Sequence, residues 1–198
     1  MNVPNKLTIS RLVMAPLFFV VFFLPEWFGP SLRTVSVILI LVLYVLTELS
    51  DLLDGVIARK HNLVTDLGKV MDPFADTLSR LTYFICFIGV GIMPVWAFAL
   101  IMWREFSIVF LRMLMMGTGT AVAANIWGKS KAVMYAVSGI AGIAYVAAMR
   151  LSDSTDWMIW AEPILYVFFA LAALASVASF GTYIAAVFRA GSLSHLSR

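Results

Sequence analysis

The chain has 198 residues, of which 62% are hydrophobic and 13% charged, and its mean hydropathy is +0.96. A soluble domain carries about 45–50% apolar and about 25% charged residues, so this composition excludes a soluble enzyme and a disordered chain and points to a multi-span membrane protein. The net charge of +3 is small, and its placement matters more than its sum.

A helix crossing a hydrocarbon core of about 30 Å needs about 20 residues. The chain offers six such segments. The first runs from about Leu7 to Phe28 and is closed by Pro25, Gly29 and Pro30. No small-residue cleavage pattern follows it, so it is expected to stay in the mature protein. The second runs from about Leu32 to Asp54 and beyond. The third starts near Pro73 and ends near Gly89, where Gly89-Val90-Gly91-Ile92-Met93-Pro94 spells a turn. The fourth covers about Val95 to Met116 and is broken by Gly117-Thr118-Gly119. The fifth covers about Lys131 to Met149, and the last about Pro163 to Phe188. Strand patterns, repeats and linkers are absent from the sequence. The expected architecture is an all-α integral membrane protein with six transmembrane helices, as one membrane-embedded domain over residues 1–198.

Charge placement orients this bundle. Lys6, Arg11, Arg59, Lys60, Lys69, Lys129, Lys131, Arg189 and Arg198 fall on one side. Arg33 and Arg150 fall on the other, with Glu26, Asp153, Asp156 and Glu162. The positive-inside rule then predicts cytoplasmic termini, with Trp27, Trp157 and Trp160 in the outer aromatic belt. Cys86, the single cysteine, allows no internal disulfide and reads as a packing residue. His61 and His195 read as loop and tail residues.

The acids are not scattered. Asp51 and Asp54 are three apart and Asp72 and Asp76 four apart, so each pair shares a helical face. Only fourteen uncharged residues separate Arg33 from Glu48, too few to span. The second helix must therefore carry Glu48, Asp51 and Asp54 into or to the edge of the cytoplasmic leaflet, where ionised groups mark function by default. Four carboxylates from two helices suit hard divalent cations, which take oxygen ligands and bind substrate phosphates as well. Gly55 and Ala58 leave room beside them, and Arg59 offers a phosphate-binding fork. Two other readings use the same acids: an ion-pair network neutralised by Arg59, Lys69 and Arg80, and the cation pathway of a small transporter. A purely structural membrane protein is a third class, which four intramembrane aspartates disfavour.

The stretch Asp51-Leu-Leu-Asp54-Gly55-Val-Ile-Ala58-Arg59, then eight residues, Gly68, three residues, Asp72, three residues and Asp76, resembles the signature of the CDP-alcohol phosphotransferase family. The resemblance implies that family's six-span fold. It also implies that Asp51, Asp54 and Asp72 hold two divalent cations, Mg²⁺ or Mn²⁺, and that Asp76 touches one ion and is the general base. Gly55, Ala58, Arg59 and Gly68 would shape the CDP-diacylglycerol pocket, and Thr65 would contact the nucleotide. The opening Pro4-Asn5-Lys-Leu-Thr8-Ile-Ser-Arg11 resembles that of bacterial members, in which Asn5 and Thr8 would contact the cytidine nucleotide.

Two further features bear on the acceptor: Asp72-Pro73-Phe-Ala75-Asp76 resembles the members that accept glycerol 3-phosphate and the related ones that accept phosphatidylglycerol, and an Arg104-Glu105, Arg112, Gly128-Lys129-Ser-Lys131 series resembles the glycerol 3-phosphate members. Glycerol 3-phosphate is a dianion, and Arg104, Arg112, Lys129 and Lys131 would clamp its phosphate. Lys129 and Lys131 as side markers, and Arg104 as the partner of Glu105, are the plainer reading. Thr77 stands where those members usually have Lys, and the segment from Gly117 to Ile126 is short and nearly uncharged. The implied activity is phosphatidyl transfer from CDP-diacylglycerol to glycerol 3-phosphate. Phosphatidylglycerol, an inositol phosphate or a choline-like alcohol are alternative acceptors. The implied partners are these substrates, the bilayer and a second copy in a homodimer, with no nucleic acid. The implied location is a bacterial inner membrane. Gly139, Ala141 and Gly142 either let helices approach closely or build a dimer face.

Overall fold

The structure, a computed structural model, describes residues 2–60, 66–117 and 126–189; within its helices, the side chains of residues 58, 59, 66, 67, 69, 116, 126, 127, 129 and 189 are outside the description. Thr65, His61 and His195 lie outside the described residues. Six long helices follow one another: α1 (Val3–Phe28), α2 (Arg33–Lys60), α3 (Asp66–Gly89), α4 (Val95–Gly117), α5 (Ile126–Leu151) and α6 (Met158–Arg189). A short 3₁₀ turn, Pro30–Leu32, links the first two. Among the described residues there is no strand.

Four stretches are long and apolar enough to cross a membrane: Val3–Phe28, Pro30–Ile57, Ser130–Leu151 and Met158–Phe188. The helices α3 and α4 have 24 and 23 residues, a sufficient length. Their apolar runs are interrupted by Asp72, Asp76 and Arg80 on α3, and by Arg104, Glu105 and Arg112 on α4.

Four helices, α1, α3, α5 and α6, start earlier than the sequence patterns suggest, while α4 starts at Val95 as expected. Pro73 lies inside α3, not at its start, and Pro163 lies inside α6. An internal proline removes one backbone hydrogen bond and leaves a carbonyl four residues back without its partner. In apolar surroundings that is cheaper than ending the helix and exposing several backbone groups. Pro25 shows the repair directly. The carbonyl it frees is that of Val21, and Ser36 Oγ on α2 donates to it at 2.7 Å.

Helix ends are set by local chemistry. The N-terminal turn of α1 carries Pro4, where no intrahelical donor is needed. Its C-terminus stops at Gly29, whose φ of +108° suits only glycine and whose N–H donates to the Pro25 carbonyl at 3.0 Å. The α3–α4 turn passes through Gly91 at φ +80°, as the Gly-Val-Gly-Ile-Met-Pro run predicts.

The helix α1 packs on α2 and α3, α6 packs on α5 and α4, and α3 joins both groups by touching α1, α4 and α5. An aromatic core binds them. Phe22 meets Phe87 with ring centroids at 6.4 Å, Phe87 meets Phe169 at 5.8 Å, and Phe84 stands edge-on to Tyr135 at 5.7 Å. Cys86 is fully buried in this core. Gly142 lets α5 close on α3, because a Cβ there would stand 2.6 Å from the Phe87 ring, and a Cβ on Gly139 would touch the Tyr44 hydroxyl at 3.4 Å. Gly142 is thus needed for close approach within the bundle, whereas the contact at Gly139 is an ordinary one.

The bundle has two polar ends. At one end, Arg150 on α5 donates to the Phe22 carbonyl at 2.7 Å, to Glu26 Oε1 at 2.9 Å and to Ser36 Oγ at 2.9 Å. Its guanidinium also lies 4.6 Å from the Phe22 ring centroid. Trp27 and Trp160 are exposed near the same end. The other end holds the aspartates.

Candidate active site

The helix α1 enters the site with Asn5, Thr8 and Arg11, all buried, spaced three apart on one face. The helix α2 brings Asp51 and Asp54 on its last three turns, and α3 brings Asp72 and Asp76 on its first three. Ser50 Oγ, donating to the Leu7 carbonyl at 3.1 Å, stitches α2 to α1 beside the cluster.

Three of the four aspartates converge on one guanidinium. Arg11 Nη1 donates to Asp51 Oδ1, while Arg11 Nη2 lies 2.7 Å from Asp54 Oδ2 and 3.8 Å from Asp72 Oδ1. The Thr8 hydroxyl donates to Asp72 Oδ1 at 2.5 Å. Burial is sharply graded across this cluster. The Arg11 and Asp54 side chains are 1% and 5% exposed, whereas those of Asp51 and Asp72 are each 46% exposed. A buried cation thus backs carboxylates that open outward.

Asp76 stands apart. Its Oδ1 accepts from Arg80 Nη2 at 2.8 Å, one turn along α3, and its side chain is 36% exposed. Gly55 and the buried Gly68 lie on the same two helices. The side chains of Ala58 and Arg59 fall outside the described residues.

The donor set fits hard divalent cations, because it is made of carboxylate oxygens with open, half-exposed faces. Asp54 Oδ2 and Arg11 Nη2 are buried and 2.7 Å apart, an ion pair with no aligned hydrogen bond to either atom among the described residues. Among the described residues no three of these carboxylates close into a ready cage.

A second polar cluster lies on α4, α5 and α6. Glu105 Oε1 accepts from Arg104 Nη1 at 2.9 Å, Lys131 Nζ at 2.8 Å and the Tyr135 hydroxyl at 3.0 Å. Arg104 Nη2 also donates to Ser179 Oγ at 2.9 Å, and the Tyr135 hydroxyl lies 2.9 Å from Ser176 Oγ. Two of the four expected clamp residues, Arg104 and Lys131, therefore meet on one carboxylate. Arg112 lies two turns farther along α4 on an exposed face, and the Lys129 side chain is outside the described residues.

Tyr135 joins the two clusters. Lys131 Nζ lies 4.8 Å and the Arg80 guanidinium carbon 6.0 Å from its ring centroid. A pocket lined by Tyr44, Glu48, Arg80, Tyr83, Tyr135 and Gly139 opens between α2, α3 and α5. It touches the Asp76 pair through Arg80 and the Glu105 network through Tyr135.

Sequence reasoning read Arg11 only as a side marker and as part of the N-terminal motif, and did not single out Tyr135, Ser176 or Ser179. A local signal for Arg11 existed: with Thr8 three positions before it, it forms a polar face on an otherwise apolar helix. Ser176 and Ser179 are three apart on one face of α6, but small hydroxyls in an apolar run are common, and Tyr135 carries no such spacing.

A family model described as CDP-alcohol phosphatidyltransferase matches residues 1–177. A Bacillus subtilis protein named CDP-diacylglycerol--glycerol-3-phosphate 3-phosphatidyltransferase is 36% identical over 146 residues, which are 70% of this chain and 76% of that protein. A Treponema pallidum protein of the same name is 36% identical over 141 residues, 68% of this chain and 65% of that protein. A Mycobacterium tuberculosis protein named probable phosphatidylglycerophosphate synthase is 30% identical over 137 residues, 69% of this chain and 63% of that protein.

Proposed function

Since the chain belongs to the CDP-alcohol phosphatidyltransferase family, we propose that it transfers the phosphatidyl group of CDP-diacylglycerol to sn-glycerol 3-phosphate, releasing CMP. The observation that carries this reading is the convergence of Asp51, Asp54 and Asp72 from two helices on one point at one end of an apolar bundle. The names of the relatives support the donor and the acceptor, and they do not favour the transporter reading.

In this reading an acceptor hydroxyl oxygen bonds to the β-phosphorus of the donor. The bond from that phosphorus to the bridging oxygen breaks, and the electron pair leaves on CMP. Asp76 takes the hydroxyl proton, a task suited to a half-exposed carboxylate whose orientation Arg80 fixes. Asp51, Asp54 and Asp72 would hold two divalent cations, Mg²⁺ or Mn²⁺, with Asp76 touching one. When bound, these ions would neutralise the pyrophosphate as charge develops on the leaving group.

Asn5, Thr8, Gly55, Ala58, Arg59, Thr65 and Gly68 would shape the nucleotide side of the pocket. Arg104 and Lys131 supply two buried donors for the acceptor phosphate, joined by Arg112 and Lys129. All six helices would cross a bacterial inner membrane as one domain, with both termini and the site on the cytoplasmic side, and the protein would act as a homodimer. A site at the membrane edge suits a donor whose acyl chains stay in the bilayer while its nucleotide faces water.

The test is CMP release by purified protein given CDP-diacylglycerol, Mg²⁺ and a panel of acceptors. Release with glycerol 3-phosphate is expected. Release only with phosphatidylglycerol or an inositol phosphate rejects the acceptor, and no release with any alcohol rejects the reaction.

A further inference from the structure

Arg11 is among the most deeply buried side chains in the protein, and the N-terminal motif that ends on it gives it no task. Its partners are the carboxylates expected to bind metal. It reaches Asp51 Oδ1, Asp54 Oδ2 and Asp72 Oδ1 from the closed side of the cluster, while the Asp51 and Asp72 side chains open outward. One oxygen of each carboxylate thus faces the guanidinium, while Asp51 and Asp72 present their exposed side to a ligand in front. Thr8, one turn before Arg11 on the same face and fully buried, gives Asp72 Oδ1 a second anchor at 2.5 Å.

We infer that Arg11, assisted by Thr8, is a positioning residue that fixes the three carboxylates for divalent-cation binding. This inference rests on the metal-binding role proposed above for Asp51, Asp54 and Asp72. The physical argument has two parts. Three carboxylates brought together without a counter-charge repel one another, and a buried guanidinium offsets that repulsion without occupying the open side. A ligating carboxylate also binds metal well only when its orientation is set, and hydrogen bonds behind the ligands set it; losing such a partner commonly costs about 10–100-fold in metal affinity. The planar guanidinium hydrogen-bonds Asp51 through Nη1 and holds Asp54 and Asp72 at ion-pair distance through Nη2, a spread of contacts across two helices that a compact ammonium group makes poorly.

The test uses the full chain in detergent, with free Mn²⁺ followed by electron paramagnetic resonance during titration. Arg11→Met should weaken Mn²⁺ binding by about 10–100-fold. Arg11→Lys keeps the charge and loses the fork, so it should fall between the two; it also serves if the methionine variant does not fold. Thr8→Val should weaken binding by a smaller factor. Melting is measured in parallel, with EDTA and with saturating Mg²⁺. A purely structural role would lower both melting temperatures equally and leave the Mn²⁺ affinity alone, which overturns the inference. Tighter Mn²⁺ binding in Arg11→Met would also overturn it, because Arg11 would then compete with the ion. An Arg11→Lys variant with native affinity would show that the fork is unnecessary and overturn it too. Failure of the native protein to bind Mn²⁺ would sink the proposed metal site itself, a result distinct from these.

Discussion

Asp76 differs from the other three aspartates in its company. Asp51, Asp54 and Asp72 share Arg11, whereas Asp76 pairs with Arg80 on its own helix at 2.8 Å. Spacing in the sequence puts Asp72 and Asp76 on one face and cannot distinguish them, since each partner is chosen by neighbouring atoms and not by periodicity. In the proposed mechanism Asp76 takes the proton and also touches one ion. Asp76→Asn keeps the shape and removes the base. Its CMP release should fall by about 10²–10⁴-fold, while equilibrium binding of CDP-diacylglycerol stays within a few-fold of native. A near-native rate in the assay would reject Asp76 as the base. The clamp residues teach the same lesson. The sequence permits either a phosphate clamp or an Arg104–Glu105 pair, and the structure contains the pair with Lys131 and Tyr135 added to it. An acceptor phosphate would enter a network already built around Glu105, so the two readings are not exclusive.

At the scale of helices, the long apolar runs and the Gly-Pro punctuation made all six elements legible, including the Gly91 turn. Their starts were less legible, because proline was read as a boundary. Pro73 and Pro163 sit inside helices, where surrounding helices can compensate a single lost hydrogen bond. The Ser36 bond to the carbonyl freed by Pro25 is one such compensation, and it lies beside the Arg150 network. Arg150 ties α5 to both α1 and α2 through Phe22, Glu26 and Ser36. Arg150→Met should therefore destabilise the bundle by about 1–3 kcal/mol, the cost of leaving buried polar groups without partners. In a chain of this size that lowers the melting temperature by about 2–4 °C per kcal/mol. Activity measured well below the transition should be unchanged, because Arg150 lies at the end of the bundle opposite the aspartates. An unaltered melting curve would show that the network contributes nothing.

The whole molecule places the aspartates and the Arg150 network at opposite ends of an apolar bundle, and this polarity suits an enzyme working at one membrane face. Sidedness can be checked directly. In a Cys86→Ser background, Lys6→Cys should react with a membrane-impermeant thiol reagent only after the membrane is opened. Ser154→Cys, on the exposed connection between α5 and α6, should react in intact spheroplasts. Labelling of both from the same side would reject the orientation. By itself the sequence determined that the chain is a helical membrane protein, where along it the charges gather and how the aspartates are spaced, since hydropathy, helix length and i, i+3 or i, i+4 relations are all local properties. Only the tertiary structure decided that Arg11 crosses forty positions to reach Asp51, that Glu105 gathers Arg104, Lys131 and Tyr135, and that Gly142 admits Phe87. Such pairings depend on how helices are rotated and stacked against one another. That is settled by packing across the whole bundle, not by any stretch of chain short enough to carry a pattern.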